Sequence, residues 1–254
     1  MKLYLAGWKS VSLIDVKGKA TFTVWLCGCN LRCPFCHNWR LADRHEPPCH
    51  WVGVERVLWE LGHAARLVDY LHVTGGEPLI QADALRELFR GSPVPCSLNS
   101  NLTMPGRLRI LVGLIEHAAT DLKVPWRVMT GGASERLWRN WLESLEILAR
   151  EKITVELRIP VPRNIHGYLE ALKKALSEAS RRLRNTTWYI VVNPLLGPPH
   201  TDPRDREWCR RHCSPGRELV NEVAGLAKRY AKTYVNAIEP YRASGRPVEA
   251  ASAL

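Results

Sequence analysis

TFTVWLCGCNLRCPFCHNW, residues 21–39, is a run of β-branched and aromatic residues that empties into a loop with cysteines at 29, 33 and 36. Thr, Phe, Val and Trp suit a pleated, buried surface, so 21–27 reads as a core strand. Thiolates are preferred ligands of iron-sulfur clusters and zinc, and three in eight residues make a metal loop the first expectation. The number of thiolates then decides the chemistry. Four protein ligands close a structural zinc site or an electron-transfer cluster, whereas three on a four-iron cubane leave one iron open to an outside ligand. Cys27 keeps a second reading alive, because CxCxxxCxxC could form a closed site or contribute to a disulfide.

Outward from that strand the period of the apolar residues changes repeatedly. Residues 3–25 alternate around a KGK turn at 17–19, which predicts an N-terminal hairpin leading into the strand. Helical spacing over 52–66, 81–90, 106–117, 134–150 and 167–183 alternates with strands at 68–73, 94–99, 118–122, 153–159 and 187–193. Six strand-helix units imply parallel strands with right-handed crossovers. Six are two short of a closed eight-stranded barrel, so the expected fold is α/β, an open (βα)6 partial barrel with its site at the C-terminal strand ends. The core is expected over 1–195. A C-terminal extension over 196–254 follows, as a cap or partner-binding segment with a helix at 216–231, a strand near 233–238 and a frayed last dozen residues.

Composition narrows the class. No run approaches the ~20 apolar residues of a membrane helix, and Lys2, Lys9 and Asp15 interrupt any signal-peptide stretch. A soluble, cytoplasmic protein with no membrane partner is expected. Eight cysteines, clustered rather than scattered, fit a reducing compartment with metal better than a disulfide frame. A net charge of +11 favours acidic partners. The basic clusters at 173–174, 181–184 and 204–211 are dispersed without interleaved aromatics, so a solvated surface is favoured over nucleic-acid binding.

The cysteine loop, with Phe35 just before its last cysteine, resembles that of the radical S-adenosylmethionine (SAM) enzymes. SLIDVKGK at 12–19, GCNLRCPFCHN at 28–38, TGGEP at 74–78 and DLKVP at 121–125 resemble the activating proteins of anaerobic ribonucleoside-triphosphate reductase, and are similar to the pyruvate formate-lyase activators. The resemblance covers roughly residues 10–195. It implies a 4Fe-4S cluster on Cys29, Cys33 and Cys36, with SAM on the open iron. It also implies a low-potential electron donor such as flavodoxin or ferredoxin, and a glycyl radical enzyme, anaerobic ribonucleotide reductase, as partner. Two other readings stay open: a small-molecule or RNA-modifying enzyme resembling 7-carboxy-7-deazaguanine synthase, and a non-enzymatic metal protein.

The same resemblance assigns SAM contacts. Gly75, Gly76 and Glu77 would meet its ammonium, Asn99 and Asn101 its ribose, and Lys123 or Arg158 its carboxylate, with Phe35 packing beside cluster and adenine. Each has a bland alternative. Asn99 to Asn101 could close an Asx turn, Asp121 and Lys123 could pair, and Leu102 stands where similar loops carry Gly. On strand 153–159 Glu156 and Arg158 share the lumen face, where they could satisfy each other. Cys209, His212 and Cys213 would share a helical face and could close a second metal site with Cys49, His50 or Cys96, but free thiols are the expectation.

Overall fold

In the computed structural model, which describes residues 1–43 and 49–236, alternation along the strands decides which side chains line the lumen. The elements run β1 (Lys2–Val16), β2 (Lys19–Leu26), α1 (Trp39–Asp43), β3 (His50–Gly53), α2 (Val54–Ala64), β4 (Tyr70–Gly75), α3 (Ala82–Arg90) and β5 (Cys96–Asn99). They continue with α4 (Pro105–Leu108), β6 (His117–Asp121), α5 (Trp126–Met129), α6 (Glu135–Arg150), β7 (Thr154–Val161), α7 (Tyr168–Leu183), β8 (Trp188–Pro194), α8 (Arg206–His212), α9 (Arg217–Ala227) and β9 (Thr233–Val235).

They form one sheet in the order β3-β1-β2-β4-β5-β6-β7-β8-β9. From β2 to β9 every pair is parallel, and β1 runs antiparallel to both β2 and β3. This is the expected open barrel, with the hairpin at one edge. On β2, Phe22, Val24 and Leu26 are buried in the core, and Thr21 and Thr23 occupy the alternate positions. On β7, Val155, Leu157 and Ile159 join that core, leaving Glu156 and Arg158 on the opposite side. The long helices bury stripes at helical spacing, Trp141, Leu145 and Leu148 on α6, and Leu172, Ala175, Leu176 and Ala179 on α7.

One expectation needs correction, and one strand was not foreseen. The helix expected over 106–117 is only α4, followed by turns such as Leu111 N to Leu108 O (2.9 Å) and Leu114 N to Leu111 O (3.0 Å). Gly113, at φ +80°, ends the helical path, yet Leu108, Leu111 and Ile115 are still buried, so the apolar period was satisfied by turns. Strand β3 was not foreseen; Trp51 on it packs on Tyr4 at 5.0 Å. The helix and strand expected after 195 are present as α9 and β9; β9 joins the sheet beside β8, and α9 sends Val220, Val223 and Ala224 into the main core. The expected frayed end lies outside the described residues.

The hairpin tip crosses the open side of the barrel. Arg158 Nη2 donates to the Asp15 carbonyl at 2.6 Å, and Lys17 Nζ sits 5.4 Å from the centre of the Tyr234 ring on β9. The gap left by an incomplete barrel is thereby bridged by the N-terminal turn.

Candidate metal centre

The loop after β2 is held by backbone on several sides. Gly28 N and Cys29 N donate to Leu41 O and Ala42 O at 2.7 and 3.0 Å, so α1 folds back on the loop that feeds it. From β4, Gly76 N donates to Leu26 O (2.8 Å) and Glu77 N to Gly28 O (2.7 Å). A Cβ on Gly75 would stand 2.2 Å from Leu26 O, and one on Gly76 2.1 Å from Gly28 O. The close approach that the glycine pair predicts is made here to the cysteine loop.

Glu77 is fully buried. Its carboxylate accepts from Leu79 N (2.9 Å), Ser100 Oγ (2.7 Å) and Asn101 N (2.6 Å), which ties the β4 loop to the β5 loop and uses most of its acceptor capacity. Asn101 continues the chain: its Nδ2 donates to Asn30 Oδ1 at 2.8 Å, while its Oδ1 accepts from Thr103 N and Oγ1. That Asx turn anchors the cysteine loop through Asn30, whose Nδ2 donates to Thr103 Oγ1 at 2.7 Å. Asn99 donates to Thr74 Oγ1 at 3.0 Å. Leu102 takes the left-handed conformation, φ 54°, that a glycine would favour, and buries its side chain completely. The strain of about 1–2 kcal/mol is offset by roughly 1.5–3 kcal/mol for burying a leucine.

Deeper charges are paired. Lys123 Nζ donates to Asp121 Oδ2 at 2.8 Å. Burial would lower the Lys123 ammonium, but Asp121 and the neighbouring cysteines outweigh it and hold it above its ordinary value. Arg158 donates through Nε to Glu156 Oε1, so the internal Glu156–Arg158 pair is present. Phe35 packs into a small cluster with Met129, Trp208, Cys209 and Cys213, its ring 6.0 Å from that of Trp208.

The disulfides sort the cysteines. Cys27 is bonded to Cys49 and Cys209 to Cys213, while Cys29, Cys33, Cys36 and Cys96 are free. Free thiols were expected at 209 and 213; their Cα atoms, 4.8 Å apart on one helical turn, are close enough to bridge. The pairing of Cys27 takes away the fourth ligand of a closed site and leaves the loop with three thiols. Burial drives these up, to about 11 at Cys29 and about 12 at Cys33. At Cys36 burial again raises the thiol, while the Asn38 backbone and the Arg204 charge oppose it. Such thiols ionise against a strong local positive charge, which bound iron supplies. Among the described residues no three His, Cys, Asp or Glu side chains converge as ligands of one ion would; a cubane takes each thiolate on a different iron and does not require it. The donor set therefore fits a cluster with one open corner.

The last wall of the site was not foreseen. Arg204 N donates to Cys36 O at 3.0 Å and Asp205 N to Pro34 O at 2.9 Å, while Arg204 Nη1 grips both Asp43 oxygens at 2.7 and 2.8 Å. Nothing local marks Arg204, because in sequence it belongs to a run of surface-like arginines and its partners lie far back in the chain.

Three free thiols at the C-terminal mouth of an open parallel barrel are the donor set of a protein built to hold a metal cluster with one exchangeable corner. Residues 23–177, more than half of the chain, match the Radical SAM superfamily, and the chain belongs to that superfamily. Its cofactors are accordingly a 4Fe-4S cluster and SAM. A proposed glycyl-radical enzyme activating enzyme of Methanocaldococcus jannaschii is 31% identical over 248 residues, covering 92% of this chain and 96% of that one. A 7-carboxy-7-deazaguanine synthase of Hyperthermus butylicus is 30% identical over 214 residues, 72% of this chain and 87% of its own. Among solved structures, a radical SAM methyltransferase from Sphaerobacter thermophilus superposes with a TM-score of 0.59 at 13% identity, covering 87% of this chain and 67% of the other. That likeness is one of fold. No described helix is long and apolar enough to cross a membrane.

Proposed function

We propose that this radical SAM enzyme is a glycyl-radical-enzyme activase whose partner is anaerobic ribonucleotide reductase. The observation that carries the reading is the nearly end-to-end match to the Methanocaldococcus jannaschii protein, which exceeds in coverage the match to the deazaguanine synthase. A shorter stretch, 75 residues, is 36% identical to the pyruvate formate-lyase-activating enzyme of Listeria monocytogenes. When bound, the cluster held by Cys29, Cys33 and Cys36 would pass one electron from flavodoxin or ferredoxin to SAM, whose cleavage to methionine and a 5′-deoxyadenosyl radical would supply the chemistry for hydrogen abstraction from a glycine.

The chain's own part is to hold and to shield. Cys29, Cys33 and Cys36 anchor the cluster. The carbonyls of Gly75 and Gly76, the Asn99 amide and Lys123 are the polar groups at the strand ends that would receive SAM, with Phe35 walling one side of the loop. Glu77 and Asn101 would act mainly by fixing those groups, and Arg158 by closing the lumen with Glu156. The core over 1–195 would carry the chemistry, and the segment from 196 on would cover the cysteine loop and face the partner.

The test is anaerobic reconstitution with iron and sulfide, reduction in the presence of SAM, and assay of 5′-deoxyadenosine. Adding the reductase should produce a glycyl doublet in the electron paramagnetic resonance (EPR) spectrum, absent from Cys33→Ala. Deoxyadenosine formed with a purine precursor, and no doublet with the reductase, would overturn the activase reading in favour of a small-molecule substrate.

A further inference from the structure

Among the described residues six buried side-chain nitrogens have no hydrogen-bond partner, and three of them flank the cysteine loop: Trp39 Nε1, Arg204 Nε and Arg204 Nη2. A guanidinium carries five N–H donors. Nη1 of Arg204 is directed to the Asp43 carboxylate, which leaves the three hydrogens of Nε and Nη2 unused in a side chain only 12% exposed. An orphaned buried donor costs about 1–3 kcal/mol, and here the group is also charged.

The position of Arg204 is over-determined. Its backbone bonds the Cys36 carbonyl, the next residue bonds the Pro34 carbonyl, and its counter-ion Asp43 ends the helix that begins three residues after Cys36. The side chain is therefore fixed against the cysteine loop with donors to spare. A cluster held by Cys36, whose carbonyl accepts from Arg204 N at 3.0 Å, would bring the Cys36 thiolate and the sulfides of that corner into this neighbourhood as acceptors.

We propose that Arg204 is a positioning residue of the cluster, its Nε–H and Nη2–H donating to sulfur at the Cys36 corner and raising the cluster's reduction potential. Hydrogen bonds and positive charge at cluster sulfur stabilise the reduced, more negative state. Asp43 works against this, because it neutralises part of the charge while aiming the guanidinium. The inference rests on the cluster and is independent of which substrate the enzyme takes.

The experiment is an EPR-monitored redox titration of reconstituted protein, with iron and sulfide content measured on each variant. Arg204→Gln is expected to load as much cluster as the parent and to lower its reduction equilibrium constant about tenfold, which for one electron is about 59 mV. Arg204→Lys should recover most of the potential. Asp43→Asn removes the counter-charge and should move the potential upward, the opposite direction from Arg204→Gln. A merely structural ion pair, its charges too far from the cluster to act on it, would shift the potential in neither variant; that result, or shifts of the same sign in Arg204→Gln and Asp43→Asn, would overturn the proposal. Should Arg204→Gln load poorly, the opposed signs of Arg204→Lys and Asp43→Asn relative to the parent decide it: a fall in Asp43→Asn sinks the assignment.

Discussion

The Glu77 carboxylate accepts the backbone N–H of Asn101 at 2.6 Å, and through it the loop after β4 governs the loop after β5. Burial raises the Glu77 carboxyl, but Ser100, Asn101 and Leu79 all donate to it and pull the other way. Replacing it by Gln turns one acceptor into an amide that confronts existing donors. Glu77→Gln is expected to lose about 1–3 kcal/mol at pH 7, read by urea denaturation. It should also bind less iron on reconstitution, because Asn101 holds Asn30 of the cysteine loop. Unchanged stability would mean that the three hydrogen bonds do not carry the loop.

At Gly76 the obstruction is the Gly28 backbone. A methyl group there meets Gly28 O at 2.1 Å and Gly28 C at 2.7 Å, neither of which can rotate away. Gly76→Ala should cost roughly 1–3 kcal/mol, the usual toll of overpacking, and should break the Glu77 N to Gly28 O bond. Loss of cluster content out of proportion to loss of stability is the expected signature. A control substitution at Gly62, whose Cβ would meet nothing within 4 Å, should leave cluster content intact.

The lumen carries a chain of hydrogen bonds whose directions can be assigned from one end. Glu156 accepts from Tyr189 OH (2.7 Å), so the Tyr189 oxygen accepts from His117 Nε2 (3.1 Å), and His117 Nδ1 accepts from Ser97 Oγ (2.8 Å). Ser97 must then accept from His72 Nδ1 (2.8 Å), which leaves the buried His72 Nε2 without a donor. Both histidines are neutral in this arrangement. Burial is the main cause that holds His72 down at about 3 and His117 at about 4. Lowered histidine values mean that the unfolded chain takes up protons first as pH falls through 6.5. Stability is thus full above that pH and drains below it, by up to roughly 3–4 kcal/mol between pH 7 and 5 for the two together. Glu77, raised in the fold, returns part of this as it becomes protonated. Denaturant midpoints at pH 7 and 5 measure the slope, and a His72→Gln/His117→Gln double variant should flatten it. An equally steep double variant would place the acid sensitivity elsewhere.

What could be read from the chain and what could not divides by sequence distance. The cysteine loop, the TGGEP turn and the alternation on β7 are local patterns, and each fixed its element because the residues that interact stand within a turn or a strand of one another. The role of Arg204 and the Cys27–Cys49 bond depend on contacts between segments that meet only once the barrel has closed. Residues 106–117 failed for a different reason. Leu108, Leu111 and Ile115 obey helical spacing, but Gly113 and a Pro-Gly start at 105–106 favour turns, and burial does not distinguish the two. Leu102 stands where similar loops carry Gly, and is accommodated because the core takes its side chain.

Arg158 provides the sharpest separation between a ligand-binding and a structural role. Its guanidinium donates to Glu156 and to the Asp15 carbonyl at the hairpin tip, so it bridges β7 to the turn that crosses the open side. Removing one member of a buried pair strands the other charge, at about 3–5 kcal/mol, whereas replacing both by apolar groups of similar size is close to neutral. Arg158→Met should therefore be strongly destabilising, and Glu156→Leu/Arg158→Met should regain part of that loss, with the remainder traced to the broken Asp15 contact and to the Tyr189 hydroxyl that loses its Glu156 acceptor. If the pair is structural, the double variant also binds SAM as the parent does, measured by equilibrium dialysis on the reconstituted protein. Stability restored but SAM binding lost would instead place the guanidinium on the SAM carboxylate, since only a direct contact with the ligand survives the removal of Glu156 as a reason for needing arginine there.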